Sequence, residues 1–155
     1  MLAAIGSDIP VCLYSNYALV RGKGEKIVTL PKFGVRIWAV IIKPNFHIST
    51  ERIFALFKGP FSKSTKKIFD FDDLIEDMNN LQNDLAVVIR NEYKKINNLI
   101  NSVTTSKCLT SVRITGSGSA IFVTFRKHYL ARDYARKIAN INNNNLWIKI
   151  SHIDI

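Results

Sequence analysis

An apolar run from Val35 to Ile42 is the feature that most constrains what this chain can fold into. β-Branched and aromatic residues dominate the run, and Lys43-Pro44-Asn45 follows it. Such a run is typical of a β-strand that is buried on both faces. With 155 residues, 47% of them apolar, the chain is long enough for about one domain with a hydrophobic core. This composition excludes a disordered tail, a collagen-like repeat and a disulfide-rich miniprotein.

Predicted helices and strands follow this run in an informative order. Ser49 or Thr50 can cap a short helix, and Asn83 can cap a long helix whose apolar residues recur at helical spacing. The later elements are two strands around a glycine turn, an amphipathic helix and a last strand: Thr110–Thr115, Ala120–Phe125, residues 131–139 and Leu146–Ile150. This order predicts an α+β fold, a ferredoxin-like βαββαβ sandwich whose antiparallel sheet is covered by helices on one face.

The segment ahead of this sandwich is expected to belong to another structural unit. Its predicted elements are two short strands, the turn between them and a glycine turn: Val11–Tyr14, Tyr17–Arg21, Ser15-Asn16 and Gly22–Glu25. Leu30-Pro31-Lys32 is the best candidate for a linker. The sequence therefore predicts two domains, residues 1–31 and residues 32–155.

Net charge is the unusual bulk property of the chain, at +10. A basic protein favours anionic partners such as nucleic acid, a membrane surface or a phosphorylated ligand. The charge is uneven, with net +8 in residues 1–69, −6 in residues 70–84 and +8 in residues 85–155. Carboxylates suit hard cations, so the acidic block could bind magnesium, but we favour a solvated loop and the start of a helix.

Cysteine usage and hydropathy argue against other classes. Cys12 and Cys108 lie far apart, without a CxxC motif or a zinc-type spacing to histidine, which favours two small core residues in a reducing cytoplasm. No signal peptide is visible, and the longest aliphatic run is too short to span a membrane. The three histidines share no spacing with a nucleophile or a carboxylate. We therefore expect a cytoplasmic protein without a metal site of its own.

Two short motifs could carry chemistry. Gly6-Ser7-Asp8-Ile9-Pro10 fixes a carboxylate at the entrance to a predicted strand, although an aspartate that caps its own turn is the simpler interpretation. Residues 114–120, with the sequence ITGSGSA, leave backbone N–H groups accessible, and such a nest can hold phosphate oxygens. They do not match the P-loop pattern, and a plain hairpin turn is the alternative. Because they open a strand rather than a helix, we expect no helix dipole to assist them.

These motifs, taken together, are more specific than any one of them. Their order along the chain is Gly6-Ser7-Asp8, Gly22-Lys23-Gly24-Glu25, Ser49-Thr50, Asn83-Asp84-Leu85 and Gly116-Ser117-Gly118. In this order and approximate spacing, over essentially its whole length, the chain resembles the C-terminal part of the 4-diphosphocytidyl-2-C-methyl-D-erythritol kinases. That family belongs to the GHMP kinase superfamily and acts in non-mevalonate isoprenoid biosynthesis.

The resemblance implies a phosphoryl transfer from ATP, with Mg²⁺, to the 2-hydroxyl of 4-diphosphocytidyl-2-C-methyl-D-erythritol. Asp8 falls on the family's catalytic aspartate, which orients or deprotonates that hydroxyl. Asn83 and Asp84 match the start of a structural helix, and we expect no chemistry from them. The other implied site residues lie beside the nucleotide phosphates or near the cytidine of the substrate: Gly116, Ser117 and Gly118 for the phosphates, and Thr50 and Phe54 for the cytidine.

The family also has an N-terminal half with a catalytic lysine and a glycine- and serine-rich loop that wraps the triphosphate. No second glycine-rich loop occurs in these 155 residues. Phosphoryl transfer depends on positioning and on electrostatic stabilisation, so we expect the chain alone to be a truncated, inactive kinase. Whether it is an enzyme is left open by the sequence. It is either a relic or one half of a split kinase that needs a separate N-terminal chain.

Two other classes of function compete with this interpretation. A basic ferredoxin-like module that binds RNA is favoured by the charge and by Phe122-Val123-Thr124-Phe125, which matches the end of the RNP1 pattern. The residues before Phe122 do not match that pattern, and single-strand binding needs exposed aromatic side chains. The third possibility is an interaction domain without a ligand. We therefore expect neither nucleic acid nor a membrane as the partner.

Overall fold

The computed structural model describes residues 6–14, 18–62, 71–80, 83–104, 112–141 and 145–155. Four features of the sequence analysis lie wholly or partly outside the described residues: the Ser15-Asn16 turn, the acidic block at Asp70, Cys108 and the strand start at Thr110. The chain divides into two compact units. A smaller unit comprises Met1–Val35 with Asp154–Ile155, and a larger unit comprises Arg36–Ile153.

The smaller unit contains a one-turn helix and a hairpin. Helix α1 (Ile9–Tyr14) precedes strands β1 (Ala18–Arg21) and β2 (Lys26–Thr29), which pair antiparallel through the predicted glycine turn. Both glycines of that turn have positive φ angles, +70° at Gly22 and +91° at Gly24. The turn therefore requires residues without a Cβ, which confirms its prediction.

The strand predicted over Val11–Tyr14 is wrong, because these residues belong to α1. The Cys12 N–H donates to the Asp8 carbonyl (3.0 Å), and Pro10 lies in the first helical turn, where its missing N–H is not needed. A segment of six residues is too short for periodicity to distinguish a helix from a strand. No side chain of α1, which lies wholly within the described residues, is buried. Cys12 is exposed, so its predicted place in a core is also wrong.

The larger unit is built on a four-stranded sheet. Its strands are β3 (Arg36–Pro44), β4 (Val112–Ile114), β5 (Ile121–Phe125) and β6 (Leu146–Asp154), in the spatial order β4-β5-β3-β6. β5 pairs antiparallel with both β3 and β4. The helices are α2 (Thr50–Leu56), α3 (Phe71–Asn80), α4 (Asp84–Glu92), α5 (Lys94–Val103) and α6 (His128–Ile141). Element order and strand order are those of a ferredoxin-like βαββαβ unit, which confirms the predicted α+β fold.

The core lies on one face of this sheet. The register places Val40 opposite Val123 and Ile42 opposite Ile121, so alternate residues of β3 and β5 point to the same side. Helices α2, α4, α5 and α6 contribute buried side chains to this cluster, including Ile53, Ile89, Ile96 and Tyr134. Full burial of each such aliphatic side chain is worth about 1.5–3 kcal/mol, which makes this face the main source of stability.

The long helix predicted after Asn83 is interrupted. Tyr93 (φ −118°, ψ 79°) leaves the helical region and separates α4 from α5, although its N–H still donates to the Ile89 carbonyl (2.9 Å). The last strand continues four residues beyond the predicted end at Ile150. In the part of the chain that the structure describes, no helix is long and apolar enough to cross a membrane.

Candidate functional site

The glycine turn between β4 and β5, residues 115–120, is the centre of the candidate site. Thr115 closes it by donating from both its N–H (2.9 Å) and its hydroxyl (3.1 Å) to the Ala120 carbonyl. The Gly118 N–H donates to the Thr115 carbonyl (2.8 Å), so that amide is occupied. Gly116 has φ +48°, and a Cβ added there would meet no described atom within 4 Å. The outer side of the turn at Gly116 is therefore open to a ligand.

The inner side of the turn is packed against the core. Gly118 has φ +83°, and a Cβ added there would lie 3.2 Å from the Ile48 Cδ1. Ser119 is buried, and its hydroxyl donates to the Phe46 carbonyl (2.9 Å). Phe46 lies two residues beyond the end of β3. These contacts hold the inner side of the turn against the core. The outer residues of the turn are therefore positioned before a ligand binds.

Asn83 fastens the turn to helix α4. Its Nδ2 donates to the carbonyls of Ile114 (3.1 Å) and Gly116 (2.7 Å), and its Oδ1 accepts from the Leu85 N–H (3.1 Å). One side chain thus caps a helix and also binds two carbonyls that lie 31 and 33 residues further along the chain. The sequence predicts the cap but not the contact with the turn. Asn83, the cap of α4, therefore contacts the turn directly, a contact that the order of the strands did not indicate.

Two of the predicted site residues meet directly. The Thr50 Oγ1 and the Ser117 Oγ are 2.7 Å apart, which joins the predicted cytidine-side residue to the predicted phosphate turn. Thr50 is the first residue of α2, and the Ser49 hydroxyl caps that helix by accepting from the Arg52 N–H (3.2 Å). Phe54 lies one turn further along α2 and is 54% exposed, so its ring is available for stacking.

Asp84, the first residue of α4, is held by a neighbouring segment rather than by the turn. Its carboxylate accepts from both the hydroxyl and the backbone N–H of Ser62. These two hydrogen bonds lower the pKa of Asp84, with the hydroxyl the larger cause, because they favour the charged carboxylate. This contact joins the segment that follows α2 to the first residue of α4.

Asp8 lies in the smaller unit, in the turn that precedes α1. Its carbonyl accepts the first hydrogen bond of that helix, and its side chain is exposed. Gly24 contacts the same turn so closely that an added Cβ would lie 1.9 Å from the Ser7 carbonyl oxygen. The hairpin therefore supports the turn that carries Asp8, which the sequence spacing did not indicate.

The donor groups for a metal ion are sparse. Within the described residues, no three histidine, cysteine, aspartate or glutamate side chains cluster closely enough to hold one. Magnesium bound to nucleotides usually takes one or two protein carboxylates together with phosphate oxygens.

Curated relatives point to a single enzyme. The chain is 32% identical over 127 residues to the 4-diphosphocytidyl-2-C-methyl-D-erythritol kinase of Caldanaerobacter subterraneus, a match over 78% of the chain and 43% of that protein. It is 34% identical over 140 residues to the kinase of the same name from Anaplasma marginale, over 86% of the chain and 47% of that protein. The chain thus spans about half the length of these relatives. No protein-family model matches the sequence.

Solved structures agree at the level of the fold. A 4-(cytidine 5'-diphospho)-2C-methyl-D-erythritol kinase matches 95% of the chain and 54% of its own chain, with a TM-score of 0.67 and 21% identity. Homoserine kinase from Cytophaga hutchinsonii matches 93% of the chain and 50% of its own, with a TM-score of 0.58 and 17% identity. The chain is therefore homologous to the C-terminal part of 4-diphosphocytidyl-2-C-methyl-D-erythritol kinase and has the α+β fold of the GHMP-type kinases.

Proposed function

We propose that this chain supplies the C-terminal half of a kinase that phosphorylates the 2-hydroxyl of 4-diphosphocytidyl-2-C-methyl-D-erythritol from ATP. Residues 1–31 then belong to the N-terminal kinase domain, and residues 32–155 form the C-terminal domain. The homology to kinases of that name supports the reaction class, and the rest of the proposal depends on the site residues.

The hydrogen bond between Thr50 and Ser117 carries this proposal. It brings the start of α2, where Phe54 presents an exposed ring, against the outer residues of the glycine turn. A ligand with a base at one end and phosphates at the other needs an aromatic surface and a phosphate-binding turn close together. The larger unit has both, from two segments that are far apart in sequence.

We assign the phosphate end to the turn itself. Gly116 is open on its outer side, and Ser117 adds a hydroxyl that donates to a phosphate oxygen when it is not paired with Thr50. The N-terminus of α4, fastened to the turn by Asn83, adds a favourable positive end. These groups fit the phosphates of ATP or of the diphosphocytidyl substrate, while Mg²⁺ would screen their charge when bound.

Asp8 is the proposed catalytic residue. Its exposed carboxylate accepts the proton of the substrate 2-hydroxyl as that oxygen attacks the γ-phosphorus. The bond from the γ-phosphorus to the bridging oxygen breaks, and ADP leaves with the electron pair. Because these 155 residues contain no second glycine-rich loop, residues outside them would cradle the triphosphate.

An active chimera tests this proposal. It joins this chain to the part of the Anaplasma marginale kinase that precedes the matched region, and ADP release is measured with ATP and the diphosphocytidyl substrate. We expect turnover by the chimera and none by the 155-residue chain assayed alone. Asp8→Asn should lower kcat by about 10²–10⁴-fold, since it removes the proton acceptor.

The site assignment is tested with matched serine variants of the same chimera. Ser117→Ala should raise KM, whereas Ser151→Ala, an exposed serine on β6, should change neither constant. Turnover by the 155-residue chain alone would contradict the need for a second half. A folded chimera with no activity, or full activity in Asp8→Asn, would contradict the proposed reaction or the role of Asp8.

The burial of side chains on the sheet argues against the alternative function, the binding of RNA. Phe122 and Thr124 point away from the core cluster, on the face that an RNA-binding module of this fold would use. Thr124 is fully buried and Phe122 is partly buried, so this part of the face is covered. Single-stranded RNA needs exposed aromatic side chains on the central strands, and Phe122 does not provide one.

A further inference from the structure

A cavity that the proposed kinase function does not use lies at the β3–β6 side of the larger unit. Its volume is about 620 Å³, within the usual range for small-molecule sites. Two short segments line it, one at the end of β3 and one at the start of β6: Lys43, Pro44, Asn45, Asn145, Leu146 and Trp147. None of these residues belongs to the glycine turn or to α2.

Strand alternation places two of the lining residues on the face of the sheet opposite the core. Ile42 on β3 and Leu146 on β6 pack in or against the core, so their neighbours Lys43 and Trp147 point to the opposite face of the sheet. Both side chains are exposed, and Trp147 keeps 56% of its surface accessible. A large indole left open on a sheet face, beside a cation, is an unusual use of tryptophan.

The lining groups are complementary to a nucleotide. The flat indole of Trp147 offers a stacking surface for a planar base, as aromatic side chains do in single-strand binding proteins. The Lys43 ammonium attracts a phosphate as a point charge. The carboxamides of Asn45 and Asn145 each combine donors with an acceptor, so they can pair with the polar edge of a base.

The cavity is separate from the glycine turn, although both lie at the same end of the sheet. The turn joins β4 to β5, and the cavity lies between β3 and β6. The Phe46 carbonyl, one residue beyond Asn45, accepts from the Ser119 hydroxyl of the turn. A ligand in the cavity would therefore use none of the groups assigned above to ATP or to the diphosphocytidyl substrate.

We propose that this cavity is a second nucleotide-binding site, with the base stacked on Trp147 and its phosphate bound by Lys43. The proposal is independent of the kinase reaction, because no catalytic group lines the cavity. The same chemistry could come from a free mononucleotide or from one unit of a single strand. The experiment below distinguishes these two sources.

Nucleotide titrations of the full chain test the site. Each of the four ribonucleoside 5'-monophosphates is added while the two tryptophan indole N–H signals are followed by NMR, with Trp147→Phe used to assign them. We expect the Trp147 signal to shift and the Trp38 signal to stay in place. Lys43→Met and Trp147→Leu should each weaken binding by about tenfold or more.

Lys149→Met is the matched control, since Lys149 lies on the same strand and face, two residues beyond Trp147, and is not a lining residue. It should change the dissociation constant by less than about twofold. An unchanged Trp147 signal at about 10 mM of every nucleotide overturns the proposal. So does an equal loss of binding in Lys149→Met and Lys43→Met, which would indicate unspecific charge attraction. Unchanged urea midpoints show that the variants are folded.

A single-stranded oligonucleotide of about six bases identifies the source. If it binds the cavity at least about tenfold tighter than the mononucleotides, and loses that binding in Trp147→Leu, the natural ligand is a nucleic acid strand. If it binds no tighter, the natural ligand is a free nucleotide. Oligonucleotide binding that Trp147→Leu leaves unchanged would occur elsewhere and would count against the site.

Discussion

Replacing Asn83 with alanine removes the side chain that fastens the glycine turn to helix α4. Asn83→Ala deletes the helix cap on the Leu85 N–H and the two donations to the carbonyls of Ile114 and Gly116. All three bonds come from a single side chain, so the substitution affects the helix and the hairpin at once. The candidate site should therefore lose its support before the core of the sheet is affected.

The size of this effect follows from the separate contacts. Loss of an asparagine cap is worth about 1 kcal/mol, and each neutral hydrogen bond about 0.5–1.5 kcal/mol. Asn83 is only partly buried, so the lower part of that range applies to its two donations. We expect Asn83→Ala to reduce the free energy of unfolding by about 2–3 kcal/mol. With ordinary urea dependence this lowers the unfolding midpoint by about 1 M.

Urea unfolding followed by far-UV circular dichroism measures this change, and Asn83→Ser is the matched control. Serine caps helices about as well as asparagine, but its hydroxyl is too short to reach both carbonyls. Asn83→Ser should therefore recover about 1 kcal/mol relative to Asn83→Ala and no more. Equal stability of wild type and Asn83→Ala would refute the reasoning. Full recovery by serine would show that the turn gains nothing from Asn83.

Three further outcomes follow from the contacts around the site. Gly118→Ala should destabilise the larger unit by about 1–3 kcal/mol in thermal unfolding, because of its φ of +83° and the approach to Ile48. Gly24→Ala places a Cβ 1.9 Å from the Ser7 carbonyl oxygen, so amide hydrogen exchange in α1 should accelerate. Because the pKa of Asp84 is lowered in the folded protein, the ionised carboxylate stabilises the fold. This stabilisation is complete above pH of about 4 and is lost as pH falls through the lowered pKa.

Each of these outcomes has a matched control. Gly116→Ala adds a Cβ in open space and should cost less than Gly118→Ala, while equal losses would show that the packing is irrelevant. Gly22→Ala meets only the flexible Glu25 side chain and should leave α1 less perturbed than Gly24→Ala. Ser62→Ala should destabilise the protein at pH 7, and the difference from wild type should shrink as pH falls through the lowered pKa of Asp84. A difference that persists in acid would contradict the linkage.

Most helices and strands of the larger unit could be predicted, because the sequence patterns that specify them are local. The apolar run at Val35–Ile42 became β3, and the caps at Ser49 and Asn83 begin α2 and α4 as expected. Each of these signals depends on residues within one or two turns of chain. The misassigned segment, Val11–Tyr14, is short, and no apolar core holds it, so periodicity alone could not decide its structure.

The candidate site was harder to predict because its contacts join distant parts of the chain. Thr50 and Ser117 are 67 residues apart, and the hydrogen bond between them has no local signature. The role of Asn83 was missed for the same reason, since a cap residue explains its own position without any partner at the turn. Because the cap alone accounts for an asparagine at this position, nothing in the sequence indicates that its side chain makes a second contact.

The sequence by itself determined the fold class, the order of the elements and the types of residue available for phosphate and base recognition. These follow from periodicity, capping chemistry and turn glycines, which act over a few residues. Only the tertiary structure decided which of those residues lie close together. Antiparallel pairing of β3 with β5 places the glycine turn next to the start of α2, where Ser117 contacts Thr50. Asn83 then joins the start of α4 to the same turn by hydrogen bonds. Sheet register, which depends on burial across the whole core, fixes that meeting point.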